Sequence, residues 1–313
     1  MGFAETLVPL LDLSGEGPGV EQGGERWKVL CNKVREACEN YGCFMLSCDK
    51  IPKTLRDDMF VAMKDLFDLP EQTKRKHQDP KPYRSYLGKC PIVPLHESFG
   101  IDDATRLDVA QEFTNLMWPE GNPNFCDTLN IMSSKLQELN YIVIKMIFES
   151  FGMEKHYDSH MKDTNSIFRV MKYNVPAPIH DSTVGLVAHT DKNTLAILCQ
   201  NEVQGLEILT KQGEWVLLTP PQDAFIVIVG DAMKAWSNGR LVAAKHRVMI
   251  SGDKDRYSCG LFSVPKEGAV IEVPMELVDK EHPLLYKPFK FSDYFSYYVS
   301  NISDDALETY AAV

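Results

Sequence analysis

The sequence predicts a mainly β protein with flanking helices, its strands closing into a sandwich or barrel behind a helical N-terminal region. Three observations carry this prediction. Through the first half of the chain apolar residues recur at helical spacing. From about Ser166 to Val264 the repeat shortens to that of strands, and beyond Pro274 a polar, aromatic-rich stretch reads as helix again. The expected organisation is a helical region over 1–155, a β core over 156–275 and a C-terminal helical lid over 276–313, joined as one structural unit.

Each element has its own warrant. Trp27, Leu30, Val34, Cys38 and Tyr41 share one face of a helix from about Gly24 to Tyr41, and Gly42 supplies its C-terminal cap. A second helix covers Leu55–Phe67 and stops before Pro70. The longest opens at Asp127 as N-cap and carries Leu129, Met132, Leu136, Leu139, Val143, Met146 and Ile147 to Gly152. These stripes read as core. The strand-like runs are Ser166–Tyr173, Val184–His189, Thr194–Gln200, Leu206–Leu209, Glu214–Leu218, Ala224–Val229, Leu241–Ile250 and Tyr257–Val264. Asn238-Gly239 signals a hairpin turn, and Lys74-Arg75-Lys76-His77 reads as a solvated face.

Composition narrows the function classes. Of 313 residues, 44% are hydrophobic and 25% charged, which suits a globular chain with a substantial core. The 33 Lys plus Arg against 44 Asp plus Glu give a formal charge of −11, a sign that repels nucleic acid and anionic membranes. No apolar run is long enough to span a membrane, and the N-terminus lacks a secretory leader. Eight scattered cysteines without a Cys-x-x-Cys pair point to reduced thiols and a cytoplasmic location.

The chemistry concentrates in the strand-rich half. His189 and Asp191, two residues apart at a strand end, point to one face of an extended backbone. Of three His-x-Asp triplets, only this one is followed by another strand-borne histidine, His246. Two imidazoles and a carboxylate on a sheet suit ferrous iron and leave coordination sites open for chemistry. Arg256-Tyr257-Ser258 then sets a guanidinium beside a hydroxyl on one strand face, a pair suited to a carboxylate. A zinc hydrolase and a non-catalytic β-sandwich binding protein remain alternatives at this point. The first leaves Arg256 and Ser258 unexplained; the second predicts that Asp191→Ala is silent.

Taken together and in order, these motifs resemble the plant 2-oxoglutarate- and iron(II)-dependent dioxygenases over nearly the whole chain. Val8-Pro9-Leu10-Leu11-Asp12-Leu13, Ala37-Cys38-Glu39-Asn40-Tyr41-Gly42-Cys43-Phe44 and Leu66-Phe67-Asp68-Leu69-Pro70 look like that family's N-terminal region. His189-Thr190-Asp191, Trp236-Ser237-Asn238-Gly239, His246-Arg247-Val248 and Arg256-x-Ser258 look like the motifs of its double-stranded β-helix, or jelly-roll, core. Phe113 to Asn122 is similar to the branch of auxin-oxidising, glucosinolate side-chain-modifying and lignan ring-closing enzymes.

The resemblance implies an oxygenase that uses Fe(II), 2-oxoglutarate and O₂ and releases succinate and CO₂. It also implies that His189, Asp191 and His246 bind iron, while Arg256, Ser258 and Tyr173 hold 2-oxoglutarate. Met171 stands where many relatives carry a contacting Asn. A relative resembling isopenicillin N synthase would instead turn the Arg and Ser to its own substrate and make no succinate. Phe113, Met117, Phe262 and Phe295 are candidates for the wall of a site for a small, apolar or aromatic plant metabolite or hormone. Its oxidation would be hydroxylation, demethylation, desaturation or ring closure. A monomer is expected.

Overall fold

The change of period at Ser166 coincides with a change of layer. The computed structural model describes residues 7–14, 23–175 and 182–313. The chain start read as lacking a leader lies partly, and the middle of the Tyr173–His189 loop wholly, outside the described residues. Before the β core come β1 (Leu10–Asp12), α1 (Glu25–Asn40), β2 (Cys43–Ser47), α2 (Lys53–Phe67), α3 (Glu71–Lys74), β3 (His96–Asp102), α4 (Leu107–Met117), α5 (Pro123–Ser150) and α6 (Glu154–Lys162). The core holds β4 (Thr164–Tyr173), β5 (Thr183–His189), β6 (Leu195–Gln200), β7 (Leu206–Leu209), β8 (Trp215–Leu217), β9 (Ala224–Val229), α7 (Asp231–Trp236), β10 (His246–Ile250) and β11 (Arg256–Pro265). It is followed by β12 (Val270–Ile271), β13 (Phe289–Lys290), α8 (Phe291–Ser300) and α9 (Ala306–Ala311).

Two sheets face each other. The larger runs β1-β2-β9-β6-β11-β4-β3 and the smaller β5-β10-β7-β8. Alternation along β4 explains how both faces of the large sheet are buried. Phe168 and Val170 join the outer cluster with α1, α2, α4 and α5, whereas Ile167, Met171 and Tyr173 join the inner cluster with Leu206, Ile208, Val248 and Ile250 of the small sheet. The result is the expected jelly-roll core with one face helix-backed and an interior between the sheets.

Several expectations need correction. The N-terminal region is not purely helical: β1, β2 and β3 extend the large sheet at both edges. Strands this short, flanked by long helical stripes, give too little alternation to stand out. The longest helix starts not at Asp127 but at Pro123, because Asn122 accepts a hydrogen bond from the Phe125 N–H (3.1 Å) and Pro123 suits the first turn. Leu241–Ile250 is strand only from His246.

The Asn238-Gly239 turn ends α7 rather than joining two strands. Both residues have positive φ (55° and 74°), and the Asn238 side chain donates to the Pro283 carbonyl (3.1 Å) and accepts from the Leu285 N–H (2.8 Å). The backbone demand was read correctly, but its partners lie far along the chain. Lys74 is likewise not solvated. It is 5% exposed and paired with Glu97 at 2.7 Å, while a His77 ring nitrogen bonds the Gly100 carbonyl (2.9 Å).

Candidate metal centre and co-substrate pocket

Strand pairing brings the distant histidines together. β5 and β10 are antiparallel with His189 directly opposite His246, and their ring centroids are 4.3 Å apart. Asp191 follows on the loop leaving β5, with its Oδ1 3.7 Å from His189 Nε2. One donor atom from each of the three side chains lies within 4.8 Å of the others.

Hydrogen bonding decides which nitrogen faces this point. His189 Nδ1 is 2.8 Å from the Val187 carbonyl and His246 Nδ1 is 3.0 Å from the Ala244 carbonyl. A carbonyl only accepts, so each Nδ1 carries the proton and each Nε2 keeps a lone pair. Burial, reinforced by neighbouring His246, pushes His189 down to about 4, so its imidazole is neutral at physiological pH. Two imidazoles that turn Nε2 toward a carboxylate fit a divalent first-row metal. The donor set therefore fits Fe(II).

The Asp191 loop is fixed from behind. Lys192, 8% exposed, donates to Asp231 (2.6 Å) and Thr190 Oγ1 (2.7 Å), and Tyr294 of α8 donates to the same Asp231 oxygen (2.6 Å). The Asp231 N–H donates to the Asp191 carbonyl at 2.8 Å. This buried network ties the small sheet's outgoing loop to α7 and the C-terminal helix.

The second cluster lies across the interior. Arg256 of β11 sits opposite Tyr173 of β4, with its guanidinium 5.2 Å from that ring's centroid. It is 2% exposed and donates to Ser258 Oγ (3.3 Å) and Gln200 Oε1 (2.8 Å), and its Nε is buried without a partner. No carboxylate within 4 Å pairs with it among the described residues. Burial holds its pKa below the usual arginine value. Such a cation, contacted only by neutral groups, is a receptor for an anion.

Tyr173 lies between the clusters. Burial raises its hydroxyl pKa, against the pull of Arg256 and Arg169 and with a contribution from Asp191. His96, tilted against Tyr173 with ring centroids 4.8 Å apart, is pushed to about 3 by burial and then by Arg169, His189 and Arg256. These groups share one chamber.

The sequence-derived wall residues divide. Phe262 belongs to the inner cluster, and Phe295 of α8 meets Tyr83 at 5.7 Å. Phe113 and Met117 instead pack in the outer core, Phe113 against His77, Phe99 and Phe125. They form no part of the interior wall, because the stripe that carries them serves helix packing. Gln200, His96, Arg169, Tyr83 and the Lys192–Asp231–Tyr294 network were not singled out by sequence. Arg169 alone had a usable signal: it shares the alternation that places Tyr173.

Comparison with known proteins agrees with this geometry. Residues 164–265 match the 2OG-Fe(II) oxygenase superfamily, and residues 8–119 match the family described as non-haem dioxygenase in morphine synthesis N-terminal. A protein of Arabidopsis thaliana named probable 2-oxoglutarate-dependent dioxygenase AOP1 is 41% identical over 314 residues, covering 97% of this chain and 96% of its own. The rice dioxygenase for auxin oxidation has a similar crystal structure, with TM-score 0.83 and 32% identity over 97% of this chain and all of that one. JOX2, solved with 2OG, Fe and JA, shares the fold at TM-score 0.81 and 21% identity, over 98% of this chain and 89% of its own.

Proposed function

Because the chain belongs to the 2OG-Fe(II) oxygenase superfamily, we propose that His189, Asp191 and His246 hold its ferrous ion and that Arg256, Ser258 and Tyr173 grip the distal carboxylate of 2-oxoglutarate. The protein is a 2-oxoglutarate-dependent dioxygenase. Bound iron supplies activation of O₂ coupled to decarboxylation of 2-oxoglutarate to succinate and CO₂, with oxidation of an organic substrate.

The chain's own groups supply position and charge. The Val187 and Ala244 carbonyls each accept from an Nδ1–H, so both rings are held with Nε2 turned toward the metal site. Arg256 offers its fork to the carboxylate, and Ser258 and Tyr173 add hydroxyls beside it. Gln200 holds one arm of the fork before the co-substrate arrives, which reduces the ordering cost of binding. The inner apolar cluster limits water around the reacting centre.

The observation that carries this reading is a buried arginine without an acidic partner among the described residues, on the same inner sheet face as Tyr173, which feels both it and the Asp191 of the His–Asp–His cluster. A zinc hydrolase has no use for that arginine. The substrate we propose is a small, apolar or aromatic plant metabolite or hormone, walled by Phe262 and Phe295 and oxidised by a monomeric, cytoplasmic enzyme. The auxin-oxidising relative supports this class. Succinate release by iron-loaded protein across plant hormones, phenolics, lignans, alkaloids and terpenoids tests the proposal. One class should raise release well above the substrate-free rate; 2-oxoglutarate consumption that no member alters would reject the proposed substrate class.

A further inference from the structure

The chamber contains a second arginine that iron and 2-oxoglutarate leave unused. Arg169 lies on β4 between Ile167 and Met171, both on the inner face. By strand alternation its side chain enters the interior on the same side as Tyr173. It stands four residues before Tyr173, about 13 Å along an extended strand, so its backbone is well removed from the one that carries Arg256 opposite Tyr173.

Its surroundings repeat the pattern at Arg256. The guanidinium lies 5.6 Å from the Phe262 ring centroid and 5.7 Å from that of Tyr83, so an aromatic side chain flanks it from each of two elements. Among the described residues its one side-chain hydrogen bond is long, 3.4 Å to Ser98 Oγ, and its Nε is buried with no partner. Among the described residues no carboxylate lies within ion-pair distance. Asp191 is near enough to favour its charge, but that carboxylate belongs to the metal cluster.

Tyr83 is held over this arginine by a backbone that few residues adopt. Its φ is 64°, and its carbonyl would lie 2.3 Å from a Cβ at position 100. Only Gly100, directly opposite Arg169 on β3, permits so close an approach. A non-glycine residue at positive φ over a half-buried, half-satisfied cation is strain of the kind kept at ligand sites.

We infer that Arg169 recognises the organic substrate and that this substrate is a small carboxylic acid, bound as its anion, with an apolar body lying toward Phe262 and Tyr83. This rests on the reading that Arg256 serves 2-oxoglutarate. It adds a charged anchor to a site that composition alone presents as apolar. In a chain of net charge −11, a second, half-buried cation whose Nε has no partner selects an anion from solution and turns neutral analogues away.

Calorimetric titration tests this with protein loaded with Fe(II) under argon and saturated with 2-oxoglutarate. The probes are phenylacetate and hexanoate, each beside its methyl ester. The acids should bind at least about tenfold more tightly than their esters, since a charge-assisted hydrogen bond is lost on esterification. Arg169→Gln should remove that preference and Arg169→Lys restore part of it. Esters that bind as well as acids, acids that fail to bind, or a preference that survives Arg169→Gln would each overturn the inference. The wild-type comparison needs no variant to fold. Titration with 2-oxoglutarate separates the two readings: affinity should drop in Arg256→Ala and stay within about twofold in Arg169→Gln. The reverse pattern would defeat the co-substrate assignment itself.

Discussion

At the scale of single residues, Arg256 shows how burial turns a side chain into a receptor. Removing it takes away a charge-assisted contact and leaves Tyr173, Ser258 and Gln200 facing an apolar gap. Arg256→Ala should therefore weaken 2-oxoglutarate binding by about 1.5–3 kcal/mol. The measurement is the half-saturating co-substrate concentration in succinate release; an unchanged value would reject the role. His189/Asp191 and Arg256/Ser258 stood out as candidates because paired polar residues at strand spacing are unusual in apolar runs; His246 entered as a further strand-borne histidine and Tyr173 only through the family resemblance. Gln200 and His96 did not stand out, since a single polar residue on a strand has no pattern. Their role comes from the cross-strand register, Gln200 opposite Ser258 and His96 opposite Tyr173.

At the scale of elements, the Lys192–Asp231–Tyr294 network fastens the Asp191 loop to α7 and α8. All three side chains are buried, so removing the shared carboxylate strands an ammonium group without a partner. Asp231→Ala should destabilise the protein by about 3–5 kcal/mol, whereas Tyr294→Phe, which removes one donor and leaves the ion pair, should cost about 1.5–3 kcal/mol. Urea unfolding measures both; equal midpoints for the two variants would show that the ion pair is not the anchor. The first two helices and most core strands were readable within a residue or two, while the longest helix was read four residues late at its start. The three N-terminal strands and the true setting of Asn238-Gly239 were not readable, because their partners are more than 60 residues distant, apart from the β1–β2 pair, or in Asn238's case lie past the next strands. Gly42 illustrates this: local spacing makes it a helix cap, and its φ of 67° agrees, but its close approach to the Val242 carbonyl is a fact of tertiary structure.

At the scale of the whole molecule, buried histidines set the response to acid. His96 titrates near 3 in the folded protein because burial, then Arg169, disfavours its charge; in an unfolded chain it titrates near 6.5. Between these values the unfolded state binds more protons, so stability is complete above about pH 6.5 and declines as the pH falls toward 3. His189 shifts in the same direction. The metal-free protein should melt at a lower temperature at pH 5 than at pH 7.5; a melting temperature that is flat or rises on acidification would contradict the burial of these rings. On the proposed reading, the interior between the two sheets gives iron, co-substrate and substrate anion each a dedicated group.

That description depends on Asp191 more than on any other residue, since it completes the donor cluster without packing in the core. An anaerobic Fe(II) titration of the wild-type protein beside Asp191→Ala, followed by succinate analysis after O₂ is admitted, puts it to trial. Wild type should bind a single ferrous ion and release succinate in proportion to 2-oxoglutarate consumed, and the variant should do neither while melting normally. A folded variant that keeps both iron and succinate release would show that the chemistry lies elsewhere.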